Sequence, residues 1–224
     1  MPRPEINGLY AITPELTDTA SLVAITKQVI TGGARLVQYR SKTTETALCL
    51  EQAQSLAHLC RKFGIPLIIN DYLDLAIEVG ADGVHLGRED SPLSEARRVL
   101  GDEKIIGISC YNRLEYAVEA ERQGADYVAF GAFFASTTKP GAVPASLNLL
   151  RQAKQKLQVP IVAIGGITSD NAVALISEGA HAVAASNALF GARDARSAAA
   201  KFSCLFEQNQ HSISHHHGLA NDFT

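Results

Sequence analysis

The sequence predicts an α/β protein: a (β/α)8 TIM barrel in a single domain. Three observations predict it. First, four triplets recur at spacings of 47, 44 and 55 residues: Gly33-Ala34-Arg35, Gly80-Ala81-Asp82, Gly124-Ala125-Asp126 and Gly179-Ala180-His181. Each follows an amphipathic stretch and precedes a short apolar run. Glycine just past a helix satisfies its last carbonyls in a left-handed cap, and an apolar run too short for a helix suits a buried parallel strand. Second, further apolar runs lie between the triplets and ahead of the first, which makes eight strands in alternation with helices. Third, the GxGxxG fingerprint of a doubly wound open sheet, the alternative arrangement, is missing after the first strand. A length of 224 residues lies within the barrel's usual range, near its short end.

In chain order, Gly8-Leu9-Tyr10-Ala11-Ile12-Thr13 opens the barrel and Leu36-Val37 follows the first triplet. The stretch from Thr43 to Lys62 reads as the next helix, and Pro66-Leu67-Ile68-Ile69-Asn70 as strand three. Gly83-Val84 is strand four and Lys104-Ile105-Ile106-Gly107-Ile108 strand five. Arg113 to Gln123 is helical and leads to Tyr127-Val128-Ala129. Pro160-Ile161-Val162-Ala163-Ile164 and Ala182-Val183-Ala184 complete the set. The barrel occupies residues 1–206. The polar, histidine-rich stretch 207–224 reads as a disordered tail, although His215-His216-His217 could also hold a metal.

Composition narrows the class. Hydrophobic residues are 46% and charged residues 19%, enough apolar material for a packed core. A net charge of −3 gives no general reason to bind nucleic acid or an anionic membrane. No apolar run approaches the ~18–20 residues of a membrane helix, and no signal-type apolar core follows Met1-Pro2-Arg3-Pro4-Glu5. Cys49, Cys60, Cys110 and Cys204 form no CxxC pair, as expected of free thiols in a reducing compartment. A cytoplasmic protein with small-molecule partners is expected, with no nucleic-acid or membrane partner; a homo-oligomer is possible.

In such a barrel the active site lies at the C-terminal ends of the strands. Polar residues gather there. Strand two ends in Gln38-Tyr39-Arg40-Ser41-Lys42, strand three in Asn70-Asp71, and strand four runs through His85 to Asp90. Strand five ends in Ser109. Strand six leads to the loop Ala135-Ser136-Thr137-Thr138-Lys139-Pro140-Gly141, strand seven to Gly165-Gly166, and strand eight to Ser186-Asn187. Arg40 and Lys42 are two apart and share a direction if the strand geometry persists. With Lys139 they supply three cations at one mouth, suited to a substrate with several phosphate charges rather than to two solvated side chains. Asp71 and Asp90 follow neighbouring strands. Each alone reads as a helix N-cap, with Asp90-Ser91-Pro92 the better example. Together, opposite the cations, they suit Mg2+, which takes one or two carboxylates. No Cys/His cluster suits zinc. Gly165-Gly166 with Ser186-Asn187 falls where barrels hold a single phosphate, or is merely a tight turn. His85 is a possible base, but no base–nucleophile pair is evident, and Cys110 has no activating partner.

The ordered motifs resemble the thiamine-phosphate synthase family, also called thiamine phosphate pyrophosphorylase. The carriers are Gln38 to Lys42, Pro66 to Asp71, Gly80 to Gly87 with Asp90, Ser136 to Lys139, and Ala163 to Ile167, within a match from about Gly8 to Phe206. The resemblance implies a barrel that joins 4-amino-5-hydroxymethyl-2-methylpyrimidine diphosphate to 4-methyl-5-(2-hydroxyethyl)thiazole phosphate. It implies a Mg2+ cofactor held by Asp71 and Asp90. Gln38, Arg40, Lys42, Asn70, Ser109 and Lys139 would contact the pyrimidine diphosphate, with Arg40, Lys42, Lys139 and Ser109 in catalytic roles. Ser136, Thr138, Gly166, Ser186 and Asn187 would contact the thiazole phosphate, and Tyr39, Ser41 and Thr137 lie in the same binding motifs. Diphosphate would leave first, and the thiazole nitrogen would capture the resulting cation. Two departures stand out: Ala135-Ser136-Thr137-Thr138 replaces the family's proline–threonine–proline–threonine run, and Ser186-Asn187 replaces its valine–serine or isoleucine–serine pair. A thiazole tautomerase-like barrel, or a non-catalytic barrel binding the thiazole phosphate, is the alternative reading. The tautomerase-like barrel would be expected to lack parts of the diphosphate and metal set, and a binding barrel need not place charge where a leaving group departs.

Overall fold

Eight strands, β1 (Gly8–Ile12), β2 (Ala34–Tyr39), β3 (Leu67–Asn70), β4 (Gly83–Leu86), β5 (Ile105–Tyr111), β6 (Tyr127–Phe130), β7 (Ile161–Ile164) and β8 (Ala182–Ala185), pair in sequence order and close into a parallel barrel. The computed structural model describes residues 4–43, 45–87, 90–135 and 144–218, with side chains up to residue 209. Between the strands run α1 (Thr19–Thr31), α2 (Thr46–Phe63), α3 (Leu73–Glu78), α4 (Leu93–Leu100), α5 (Leu114–Arg122), α6 (Leu147–Lys156) and α7 (Ser169–Ser177). The one-turn α8 (Asn187–Phe190) and α9 (Ala195–Gly218) follow β8. Among the described residues no helix is long and apolar enough to cross a membrane.

The recurring triplets have a common physical cause. Gly33, Gly80, Gly124 and Gly179 all have positive φ. The Gly80 N–H donates to Ile77 O and the Ala81 N–H to Ala76 O. The same pair of bonds recurs at Gly124-Ala125 and Gly179-Ala180, closing each helix with a Schellman motif. Ala81, Ala125 and Ala180 are buried under the turn. The third residue then acts on the neighbouring strand. Asp82 Oδ2 accepts from Leu67 N at 2.8 Å, Asp126 Oδ2 from Ile106 N at 2.7 Å, and His181 Nδ1 from Ile161 N at 3.0 Å. Each of these three triplets thus ends a helix, starts an even-numbered strand and pins the start of the odd-numbered strand before it.

Side chains alternate across the strands. Leu9, Val37, Ile69 and Val128 join an outer layer with the helices. Tyr10, Leu36, Ile68, Ile105, Tyr127 and Val162 fill the interior. Gly107 makes room for one of the larger interior rings, because a Cβ there would overlap Tyr127.

Backbone 207–218 continues α9 as helix, where the sequence offers no apolar periodicity. The helix is held at its start. Ala199 and Phe202 are buried, and Ser203 Oγ donates to Gly33 O at 3.0 Å. Phe202→Ala is expected to cost about 3–5 kcal/mol in chemical denaturation. Truncation before His211 is expected to leave the midpoint and the activity unchanged. A large loss on truncation would assign the end of α9 a role in the fold.

Candidate active site

Asp71 and Asp90 come together at the C-terminal ends of β3 and β4. Neither is a helix cap: α3 is preceded by Tyr72 and α4 by Pro92. Asp71 instead sits at φ 65°, a conformation that aspartate tolerates better than most residues. Its backbone N–H donates to His85 O at 2.9 Å, which ties the β3 exit to β4. Asp90 folds back so that Oδ2 accepts from Gly87 N at 2.6 Å. Burial pushes the Asp71 carboxyl up to about 6, and the adjacent Asp90 adds to the rise; the Arg40 charge and a hydrogen bond from Asn70 oppose it. Two crowded carboxylates supply oxygen donors of the kind that fits a hard divalent ion such as Mg2+.

The end of β2 divides its residues between two sides. Gln38 is buried and faces inward, where its Nε2 donates to Tyr10 Oη at 3.0 Å. The Arg40 guanidinium lies 4.0 Å from Glu15 and close enough to Asp71 to oppose its rise. Tyr39 faces the other way. It is buried among the helices, and its hydroxyl donates to Gln52 Oε1 at 2.9 Å. Ser41 also turns toward α2, its Oγ lying 3.8 Å from Cys49 Sγ and accepting from Thr43 N at 3.3 Å. Strand alternation turns the Tyr39 side chain to the outer layer, and beyond the end of the strand the Ser41 side chain turns to Thr43 and Cys49, so neither is brought to the mouth. β2 stops at Tyr39, so the shared direction expected of Arg40 and Lys42 has no strand to enforce it. Lys42 is exposed.

Across the barrel, Ser109 Oγ lies 2.8 Å from His85 Nε2. His85 Nδ1 lies 2.9 Å from Tyr127 Oη, which in turn lies 2.9 Å from Tyr10 Oη. With Gln38, these residues form one hydrogen-bonded chain through the interior. Tyr10 and Tyr127 were not singled out by the sequence reading. The available signal was their place at inward positions of β1 and β6, where an apolar side chain would fill space without needing a partner. Cys110, next to Ser109, is buried, and burial pushes its thiol up to about 12, so it is no nucleophile.

Gly165-Gly166 leaves β7 beside the exit of β6, where a Cβ on Gly165 would overlap Ala132. Asn171 Nδ2 donates to Gly166 O at 3.0 Å and holds that turn. Ser186 precedes α8, and Asn187 is its first residue. Ser136, Thr137, Thr138 and Lys139 lie outside the described residues.

The thiamine monophosphate synthase family model matches residues 9–189. The chain belongs to the thiamine monophosphate synthase family. It is 70% identical over 207 residues to a thiamine-phosphate synthase of Nitrosospira multiformis, covering 92% of this chain and 88% of that protein. It is 52% identical to the thiamine-phosphate synthase of Nitrosomonas eutropha, covering 92% and 97%. A solved thiamine phosphate pyrophosphorylase from Pyrococcus furiosus superposes with a TM-score of 0.80 at 35% identity, covering 90% of this chain and 96% of that one. Members of this family are transferases of thiamine biosynthesis, and so is this chain.

A carboxyl raised in the folded state holds its proton more tightly than in the unfolded chain. Without metal, stability therefore falls as pH rises from the ordinary aspartate range to about 6. A cation needs the ionised form. Mg2+ affinity is expected to rise with pH up to about 6 and level off above it. Calorimetry in buffers of different ionisation heat should detect proton release below that point. Asp71→Asn is expected to weaken Mg2+ binding at least about tenfold and to flatten the pH dependence. Unchanged binding would remove Asp71 from the metal site.

Proposed function

We propose that the chain condenses 4-amino-5-hydroxymethyl-2-methylpyrimidine diphosphate with 4-methyl-5-(2-hydroxyethyl)thiazole phosphate, giving thiamine phosphate and diphosphate. The observation that carries this reading is the Asp71–Asp90 pair with Arg40 beside it, at the catalytic end of a barrel whose relatives bear the synthase name. A barrel that only tautomerised or bound the thiazole phosphate would have no use for paired carboxylates and a cation where a diphosphate departs.

In this reading Asp71 and Asp90 hold Mg2+. When bound, Mg2+ neutralises charge on the diphosphate. Arg40, Lys42 and Lys139 bind the same group, Arg40 as a planar fork and the lysines as point charges. Gln38, Asn70 and Ser109 orient the pyrimidine end. Gly166, Ser186 and Asn187, with Ser136 and Thr138, hold the thiazole phosphate. The C–O bond to diphosphate breaks and the electron pair leaves with the diphosphate. The thiazole nitrogen then donates its lone pair to the pyrimidine methylene cation. Such a reaction needs positioned charge and no protein nucleophile. The partners are the two small substrates, and the setting is the cytoplasm.

Purified protein given both substrates should form thiamine phosphate with Mg2+ and none with EDTA. Absence of product from folded protein would overturn the reading. Arg40→Ala is expected to lower kcat/KM about 10- to 100-fold while leaving the thermal midpoint within a few degrees. Full activity in that variant would remove Arg40 from the site.

A further inference from the structure

We infer that Tyr10 and Tyr127 are positioning residues: they fix the tautomer of His85 and thereby turn the Ser109 hydroxyl proton toward the mouth as a donor. The inference rests on Ser109 being a substrate contact and assigns it a direction. It follows from counting protons along the buried chain.

An amide nitrogen only donates. Gln38 Nε2, 3.0 Å from Tyr10 Oη, therefore makes the phenol oxygen an acceptor. The Tyr10 proton still needs an acceptor of its own. Among the described residues the further hydrogen-bond partner of that hydroxyl is Tyr127 Oη, at 2.9 Å. Tyr127 thus accepts from Tyr10 and directs its own proton to His85 Nδ1, at 2.9 Å. A ring nitrogen that accepts carries no proton, so the His85 proton sits on Nε2. Nε2–H donates to Ser109 Oγ at 2.8 Å. The Ser109 proton cannot point back along that bond. Ser109 lies at the partly exposed end of β5, and its hydroxyl is left to donate to an acceptor atom of the substrate.

The surroundings hold this direction. Both phenols are buried, and burial raises both above the ordinary tyrosine range, so each keeps the proton it passes on. Tyr10 and Tyr127 meet edge to face with ring centroids 6.0 Å apart, and Tyr127 stacks on His85 at 5.5 Å. Gly107 leaves the space that the Tyr127 ring occupies. Were the Gln38 amide turned to present oxygen, every bond would reverse and Ser109 would become an acceptor.

The test reads the tautomer directly. Full-length protein labelled with 15N-histidine is examined by two-bond 1H–15N correlation above the ordinary histidine range, without substrate. The His85 signals are identified by their loss in His85→Gln. The expected result is a proton on Nε2; a proton on Nδ1 overturns the inference. Tyr127→Phe keeps the ring and removes the directing hydroxyl. It is expected to lose the single tautomer and to lower kcat about five- to tenfold, with KM changed less than about twofold. A folded Tyr127→Phe with the Nε2 tautomer and kcat both unchanged also overturns it. Because the wild-type tautomer is read without turnover, a failed synthase assay and a failed proton chain are separate results.

Discussion

Closing eight parallel strands into one barrel imposes a division on which everything else here depends. Every second side chain points into an interior too narrow to stay empty, and its neighbours point to the helices. Inward positions below the rim must fill space. Inward positions at the rim can reach a ligand. Gln38, Asn70, His85 and Ser109 occupy this inward register near the strand ends, and Asn70 pairs directly with His85. Tyr39 carries a hydroxyl as suitable as any of these, yet its parity sends it to α2. Which side chains serve the chemistry is decided by odd or even position before residue type matters.

The two ends of the barrel do different work. At the N-terminal end, Asp82, Asp126 and His181 tie neighbouring strands through backbone N–H groups. There Arg97 also gathers the carbonyls of Gly101, Lys104 and Gly124 together with Asp126. These groups are satisfied by the protein itself. At the other end Asp71 and Asp90 crowd each other, and burial with the adjacent Asp90 raises the Asp71 carboxyl.

The fold was legible in the sequence because its repeat is local. A Schellman cap needs glycine, then a small buried residue, within a few positions of the helix end, and Gly80-Ala81 and its counterparts carry that requirement visibly. The carboxylates were legible only as a pair of possibilities. Asp90 before Ser91-Pro92 reads equally as a cap, and only the backbone, which starts α4 after Pro92, frees it. The interior chain was not legible. Tyr10 and Tyr127 are 117 residues apart and sit in apolar strands, so nothing local marks them as partners. The directions of the Tyr39 and Ser41 side chains were not legible either, because the run Gln38 to Lys42 shows neither the parity of the strand nor where it stops. The end of α9 was obscured by composition, since polar residues on a helix leaving the core need no apolar face.

One of the strand pins differs chemically from its counterparts. Asp82 and Asp126 accept through carboxylates, whereas His181 accepts through a neutral ring nitrogen. Burial, aided by the Lys154 charge, holds the His181 imidazole below its ordinary range, which preserves that acceptor near neutrality. A base depressed in the folded state contributes stability above its unfolded value and loses it as pH falls. Acidification would therefore convert this acceptor into a donor facing another donor, the Ile161 N–H. Protonation of His181 would thus take away one tie between the starts of β7 and β8, beneath the strand ends that carry Gly166 and Ser186.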